Sequence, residues 1–167
     1  DATVAQNTAR ARDLLLTRRA LRHPVIPDWI ELVRTRQTTG EADQLHLWSI
    51  EAHAPGEDIA SMVQAKGNYD VPTTCRIALA LVEALKHLHE QPTPLAHGNL
   101  SPAAIRVHLE DEIHLVDFGF MKTLRGLTPG HHGYVAPEAY GQHHPAPSAD
   151  LYGLGCIMLY MLSGTHP

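Results

Sequence analysis

The sequence predicts an α+β domain, and three patterns carry that prediction. Ile77, Leu81, Leu85 and Leu88 recur at spacings of four, four and three, which draws one apolar stripe along a helix. Short β-type runs at 28–33, 45–50, 105–109 and 113–116 are bounded by turn-forming residues. Ala149 to Leu162 is apolar nearly all round, the pattern of a helix buried inside a core. The chain of 167 residues is long enough for one ordinary domain with a core of its own.

Taken in order, Gln6 to Arg22 reads as a helix with Asn7 or Thr8 at its N-cap and Leu14, Leu15, Leu16 and Leu21 toward one side. His23-Pro24 ends it, because the residue before proline avoids the helical region. Two strands follow, Asp28 to Val33 and Leu45 to Ile50, joined by a polar connection from Thr35 to Asp43 that contains Gly40. Ala54-Pro55-Gly56 breaks the pattern, and Glu57 to Gln64 reads as a short helix. The striped helix opens near Thr73 or Thr74 and closes before Pro92 and Pro94. Two β runs then flank the acidic turn Glu110-Asp111-Glu112, and a loop rich in Gly, Pro and His spans Gly119 to Pro147. Burying six large side chains of the last helix (Leu151, Leu154, Ile157, Met158, Met161 and Leu162) is expected to contribute on the order of 10 kcal/mol before entropy.

Composition narrows the function classes. Hydrophobic residues make up 44% and charged residues 19%, the balance of a soluble globular protein. A formal net charge of -5 gives no push toward nucleic acid or an anionic membrane. The apolar run Leu151 to Leu162 is too short to span a bilayer, and no charged-then-apolar leader opens the chain. Cys75 and Cys156 make no disulfide framework, so a cytoplasmic setting is expected, as such or as the intracellular part of a larger protein. Thirteen histidines include the pairs His131-His132 and His143-His144, but adjacent histidines do not share a helix face and no HExxH pattern accompanies them. No metal site is expected from them.

Four motifs then occur in a telling order. His97-Gly98-Asn99-Leu100-Ser101-Pro102-Ala103-Ala104-Ile105 resembles the HRDLKPxN catalytic loop, and Asp117-Phe118-Gly119 matches a DFG motif directly after a β run. Ala136-Pro137-Glu138 matches an APE motif, with Gly133-Tyr134-Val135 before it, and Asp150 to Gly155 resembles the DxWxxG start of helix F. Any one tripeptide is weak; together they identify a resemblance to the protein kinase superfamily, nearest the eukaryotic-like Ser/Thr kinases. The resemblance implies the α+β kinase-like fold. A remnant N-lobe (helix C, two strands and hinge) would occupy 1–53, and a mainly helical C-lobe (helices D to F with catalytic-loop and activation-segment equivalents) 54–167. It runs from helix C to helix F without a Gly-rich loop or lysine strand, so the chain is expected to be an excerpt of a longer protein or to be covered by another chain.

The resemblance also implies that the chemistry is degraded. Phosphoryl transfer needs a proton acceptor, cations on the phosphates and a floor for adenine. The acceptor position holds Asn99, an amide that takes no proton near pH 7, so general-base help of about 10²–10⁴-fold is expected to be absent. Ser101 replaces the lysine that contacts the transferred phosphate, and Ala104 replaces the asparagine that holds the second magnesium. Asp117 is the one candidate magnesium ligand, with Ile50, Glu51, Asp58 and Arg106 lining the pocket equivalent. Ile50 matches the gatekeeper position, and Arg106 falls where an aliphatic residue lies beneath adenine. The helix C glutamate falls on or beside Leu14, with Asp13 the nearest acid. Gly98 removes the arginine that grips an activation-loop phosphate, so phosphorylation at Thr123 or Thr128 would lack that clamp. His131 stands where a threonine bonds the catalytic aspartate. His97, Phe118, Gly119, Glu138 and Asp150 keep structural roles.

The expectation is therefore a pseudokinase, a regulatory or scaffolding protein-interaction module with no cofactor, or at most weak ATP or Mg²⁺. Its partner would be a protein or a neighbouring domain, with no nucleic acid and no membrane span. The alternatives are an unorthodox ATP-dependent Ser/Thr kinase or a nucleotide-binding sensor, either one using Asp117.

Overall fold

The computed structural model describes residues 21–39, 42–109, 112–119, 132–140 and 146–167. The expectations placed on 6–20, on Gly40, on the Glu110-Asp111 turn and on Thr123, Thr128, His131 and His143-His144 lie outside these residues. The described chain forms two compact units. Pro27–His53 belongs to the first together with Leu21 and Arg22, and Ala54–Pro167 belongs to the second together with His23–Ile26.

The first unit is built on an antiparallel hairpin, β1 (Trp29–Thr39) with β2 (Ala42–Glu51). Pairing runs from Trp29↔Glu51, with a register shift before Glu31, out to Thr39↔Ala42. The strands therefore take in most of the stretch from Thr35 to Asp43 that sequence polarity assigns to a connection. Polarity misleads there because Thr35, Thr38 and Thr39 are β-branched, which favours extended backbone whether or not a face is buried. Trp48 and Thr35 bond across the hairpin, with the indole Nε1 donating at 2.9 Å.

In the second unit, β3 (Glu57–Asp58), β4 (Ile105–His108) and β5 (Glu112–Leu115) form an antiparallel sheet in that order. Period-two alternation sorts its faces. Ile105, Ile113 and Leu115 are buried, while the pairs Asp58↔Arg106↔His114 and His108↔Glu112 carry the polar side chains. Helix α1 (Ile59–Lys66) starts later than composition suggests, because Glu57 and Asp58 pair with β4 and Asp58 caps the helix. Its carboxylate accepts from the Ser61 amide at 2.9 Å and the Ser61 hydroxyl at 2.8 Å. Burial alone would raise the Asp58 pKa, but the Ser61 bonds, its own amide and the Arg106 charge together hold it below the usual carboxylate value.

Helix α2 (Val71–His89) is capped by Asp70, which accepts from the Thr73 amide at 2.9 Å, with Pro72 in the first turn. Its stripe is the centre of the core: Ile77, Leu81, Leu85 and Leu88 are at most 1% exposed, each contributing about 1.5–3 kcal/mol of burial before entropy. Helix α3 (Pro147–Ser163) packs against it and ends at Gly164 in the left-handed region. Asn68 and Tyr69 bind its last turn, through Asn68 Nδ2 to Leu162 O at 3.1 Å and Tyr69 N to Met161 O at 2.8 Å.

Complete burial of α3, expected from its composition, does not hold. Gly153, Leu154, Ile157, Tyr160 and Met161 are buried, but Leu151 and Leu159 are more than half exposed, and Leu162 is 40% exposed. A helix presents side chains all round every 3.6 residues, and the described residues pack against one side of this one.

His23 to Ile26 forms a small turn closed by Ile26 N to His23 O at 3.0 Å, and Val25 O accepts from the Leu115 amide at 2.8 Å. The His23 ring lies 5.4 Å from that of His87 and accepts from the Val25 amide through Nδ1 at 3.2 Å. Burial and the His87 charge push the His23 pKa below 6.5, against a weaker upward pull from Glu83. The unfolded chain then takes up this proton first. The stabilisation from neutral His23 is complete above about pH 6.5 and is lost as pH falls toward the lower folded value. Urea midpoints measured from pH 7.5 down to 5 should therefore fall more steeply for the native chain than for His23→Asn, which keeps an acceptor for Val25 but does not titrate. Parallel profiles would refute the assignment.

Candidate functional site

The segment from His97 to Ala104 and the segment from Val116 to Gly119 are stitched side by side. Gly119 N donates to His97 O at 2.8 Å, and Val116 N donates to Ala104 O at 2.9 Å. The buried His97 ring joins them: Nε2 donates to Val116 O at 3.0 Å, while Nδ1 accepts from the Asn99 amide at 3.2 Å. A carbonyl can only accept and an amide N–H can only donate, so the ring carries its proton on Nε2. Phe118 packs on it with centroids 4.4 Å apart.

Asn99 is 1% exposed, and its side-chain nitrogen donates to Asp117 twice, to Oδ2 at 2.7 Å and to the main-chain oxygen at 2.9 Å. Both partners are pure acceptors, so the nitrogen must face them. Asp117 itself is exposed and has φ +58°, a left-handed conformation that L residues seldom adopt. Ser101 is buried, its hydroxyl without a hydrogen-bond partner among the described residues, and Ala104 is wholly buried in a 3₁₀ turn (Pro102–Ala104). Gly98 turns with φ +72°.

Beneath this loop sits Asp150, 2% exposed, from the first turn of α3. Its carboxylate accepts from the amides of His97 at 2.8 Å and Gly98 at 2.9 Å, and from His89 Nε2 at 2.8 Å. The backbone that presents Asn99 is thus anchored to a helix. His89 escapes sequence reading; its only mark there is a histidine in the last turn of the striped helix, eight residues before His97.

Arg106 is half-buried on the polar face of the β3–β4–β5 sheet, where Nη2 donates to Gly56 O and Nε is buried without a partner among the described residues. Asp58 is its cross-strand neighbour, so those two pocket-lining candidates do come together. The other two, Ile50 and Glu51, end β2 in the first unit, Ile50 paired with Glu31 and 41% exposed. Glu138 is exposed in a second 3₁₀ turn (Pro137–Ala139), beside a small cluster of Ala136, Ala139 and Ala149. Tyr134 next to it bonds His166 Nδ1 at 2.7 Å, and burial, with Tyr160 and Cys156 nearby, pushes its phenol up to about 12. Among the described residues, no three His, Cys, Asp or Glu side chains converge to hold a metal ion. No helix among them is long and apolar enough to cross a membrane.

The chain is 31% identical to a cGMP-dependent protein kinase of Drosophila melanogaster over 130 residues, which is 75% of the chain. It is 31% identical to the serine/threonine-protein kinase PknE of Mycobacterium tuberculosis over 119 residues, or 67% of the chain. It is 32% identical over 116 residues, 66% of the chain, to an Arabidopsis thaliana protein named "Probably inactive leucine-rich repeat receptor-like protein kinase". The chain spans only 14%, 21% and 15% of the lengths of these relatives. In fold it resembles the crystal structure of Rad53 in complex with AMP-PNP, with a TM-score of 0.70 and 22% identity, over 93% of this chain and 38% of that one. The family model described as protein kinase domain matches residues 5–167, and the chain belongs to the protein kinase domain family.

Proposed function

We propose that this chain is a pseudokinase domain, a kinase fold that works through protein contacts and does not transfer phosphate. The observation that carries the reading is Asn99, a buried carboxamide at the position of the proton acceptor, with its nitrogen turned toward Asp117. An amide in that place can donate but cannot take a proton from a substrate hydroxyl. Three further positions support it. Ala104 offers a methyl group where a cation ligand is needed, Ser101 buries a neutral hydroxyl where a lysine would meet the phosphate, and Gly98 has no side chain to grip a phosphorylated loop. Arg106 places a tethered guanidinium where adenine needs an apolar floor, so ATP is expected to bind weakly or not at all. The Arabidopsis relative, whose name reads "Probably inactive", points the same way.

What remains intact is the scaffold: Asp150 under the loop, and His97 packed on Phe118. A retained scaffold without the reacting groups suits a regulatory or scaffolding role, with a protein or a neighbouring domain as partner and a cytoplasmic setting. The decisive measurement is transfer of labelled γ-phosphate from ATP, with Mg²⁺ or Mn²⁺, to the chain itself or to a generic protein substrate. Incorporation should not exceed that of the Asp117→Ala variant. A rate clearly above that variant would establish the rival reading, a kinase that uses Asp117 in an unorthodox geometry.

A further inference from the structure

We infer that the His23–Ile26 turn is an acid-released latch on β5. A neutral His23 ring keeps the turn closed beside the segment that leads to Asp117, and a proton on that ring, facing His87, opens it. The inference goes beyond the pseudokinase reading and does not rest on it.

Pro24 has no amide hydrogen, so the turn is closed by His23 itself. Its carbonyl accepts from Ile26 N at 3.0 Å, and its ring Nδ1 accepts from Val25 N at 3.2 Å. A main-chain N–H can only donate, so Nδ1 must keep its lone pair and the neutral ring carries its proton on Nε2. Closed in this way, the turn buries Val25 and Ile26 and points Val25 O at the Leu115 amide, 2.8 Å away. Leu115 is wholly buried, and the next residue joins the candidate site twice. Val116 N donates to Ala104 O, and Val116 O accepts from His97 Nε2. One short run of bonds therefore connects the His23 ring to the loop.

A proton on His23 breaks this arrangement at its first bond. Imidazolium has an N–H on both nitrogens, so Nδ1 would turn a donor toward the Val25 donor. The same proton meets the His87 ring, whose centroid is 5.4 Å away. His87 Nε2 is shut off from solvent, which weakens screening on that side. Glu83, one turn earlier on α2 and exposed, is the counterweight. Burial and His87 outweigh it, so the closed turn holds the His23 proton less tightly than an open one. Other charges on the surrounding elements are engaged with one another. Arg22 pairs with Asp28 at 3.6 Å and Lys86 with Glu90 at 3.9 Å, while Glu112 of β5 lies 2.7 Å from His108 and 3.4 Å from His114. The open turn is therefore favoured progressively as pH falls below about 6.5.

Residue-resolved amide hydrogen exchange, corrected for the intrinsic effect of pH, tests the latch. Between about pH 7.5 and pH 5, protection at Val25, Ile26 and Leu115 should fall at least about threefold more than protection at Leu81 and Leu85 in α2. His23→Asn, which keeps an acceptor for Val25 without titrating, should abolish this extra loss. His87→Phe, which keeps a ring beside His23 without its charge, should reduce it. In the native chain the Leu115 amide resonance should titrate with the midpoint of the His23 imidazole, a reading that needs no variant to fold. Equal losses at Leu115 and in α2, an extra loss undiminished in either variant, or separate midpoints for Leu115 and His23 would overturn the latch.

Discussion

Replacing Asp150 with alanine is expected to destabilise the second unit by about 3–5 kcal/mol, among the largest losses any single side chain can cause here. The carboxylate is 2% exposed and accepts from two backbone amides and one imidazole. Alanine would leave the His97 and Gly98 amides and the His89 Nε2–H without their acceptor in a place closed to water, and each such orphan costs about 1–3 kcal/mol. At the usual size of a domain like this one, the melting temperature should drop by roughly 6–20 °C. Asp150→Asn should fall between the two, because one amide oxygen still accepts while the NH₂ group turns a donor toward donors. The loss should extend to the loop that Asp150 holds. Amide hydrogen exchange at 97–99 should accelerate more than exchange in α2. A loss under about 1 kcal/mol by urea denaturation would show that water or another acceptor serves these amides equally well.

Gly56→Ala is expected to have the second large effect. Gly56 has φ +95°, and a Cβ there would press into the main chain of β4, against Val107 O and 2.7 Å from His108 N. Those atoms belong to a sheet backbone and cannot rotate away as a side chain can. The strained backbone alone costs about 1–3 kcal/mol, and the overlap adds the disruption of β3–β4 pairing and of the Arg106 bond to Gly56 O. A total of at least about 3 kcal/mol is expected. Gly67→Ala is the control, since Gly67 has a similar φ of +89° but no described residue lies within 4 Å of its added Cβ. The difference between the two variants in urea midpoint isolates the steric part. If Gly67→Ala proves as damaging as Gly56→Ala, the close approach to β4 is not what requires glycine at position 56.

The parts of the site that were legible in advance were those written in local patterns. Asp150, His97, Phe118 and Gly119 could be assigned from motif order alone, and the structure joins them through short, specific contacts. Asn99 was visible as an amide in an acceptor's place, but not the direction of its nitrogen or its two bonds to Asp117. That choice depends on the main chain 18 residues away lying alongside it, which no spacing rule encodes. His89 was missed for the same reason, because its partner is 61 residues later. Asp58 caps α1, which a reading of Asp-x-x-Ser as a helix start reaches from the sequence.

By itself the sequence determined the α+β class, the apolar stripe of α2, the family of the chain and the identity of the altered loop residues. Each of these follows from residue type at short spacing, where backbone period and side-chain chemistry leave little freedom. Tertiary structure alone decided that Thr35–Thr39 extends β1, that one flank of α3 stays exposed while the other packs on α2, and that Asn99 grips Asp117. Such outcomes depend on which distant surfaces meet, and burial and hydrogen-bond partners are assigned only when they do.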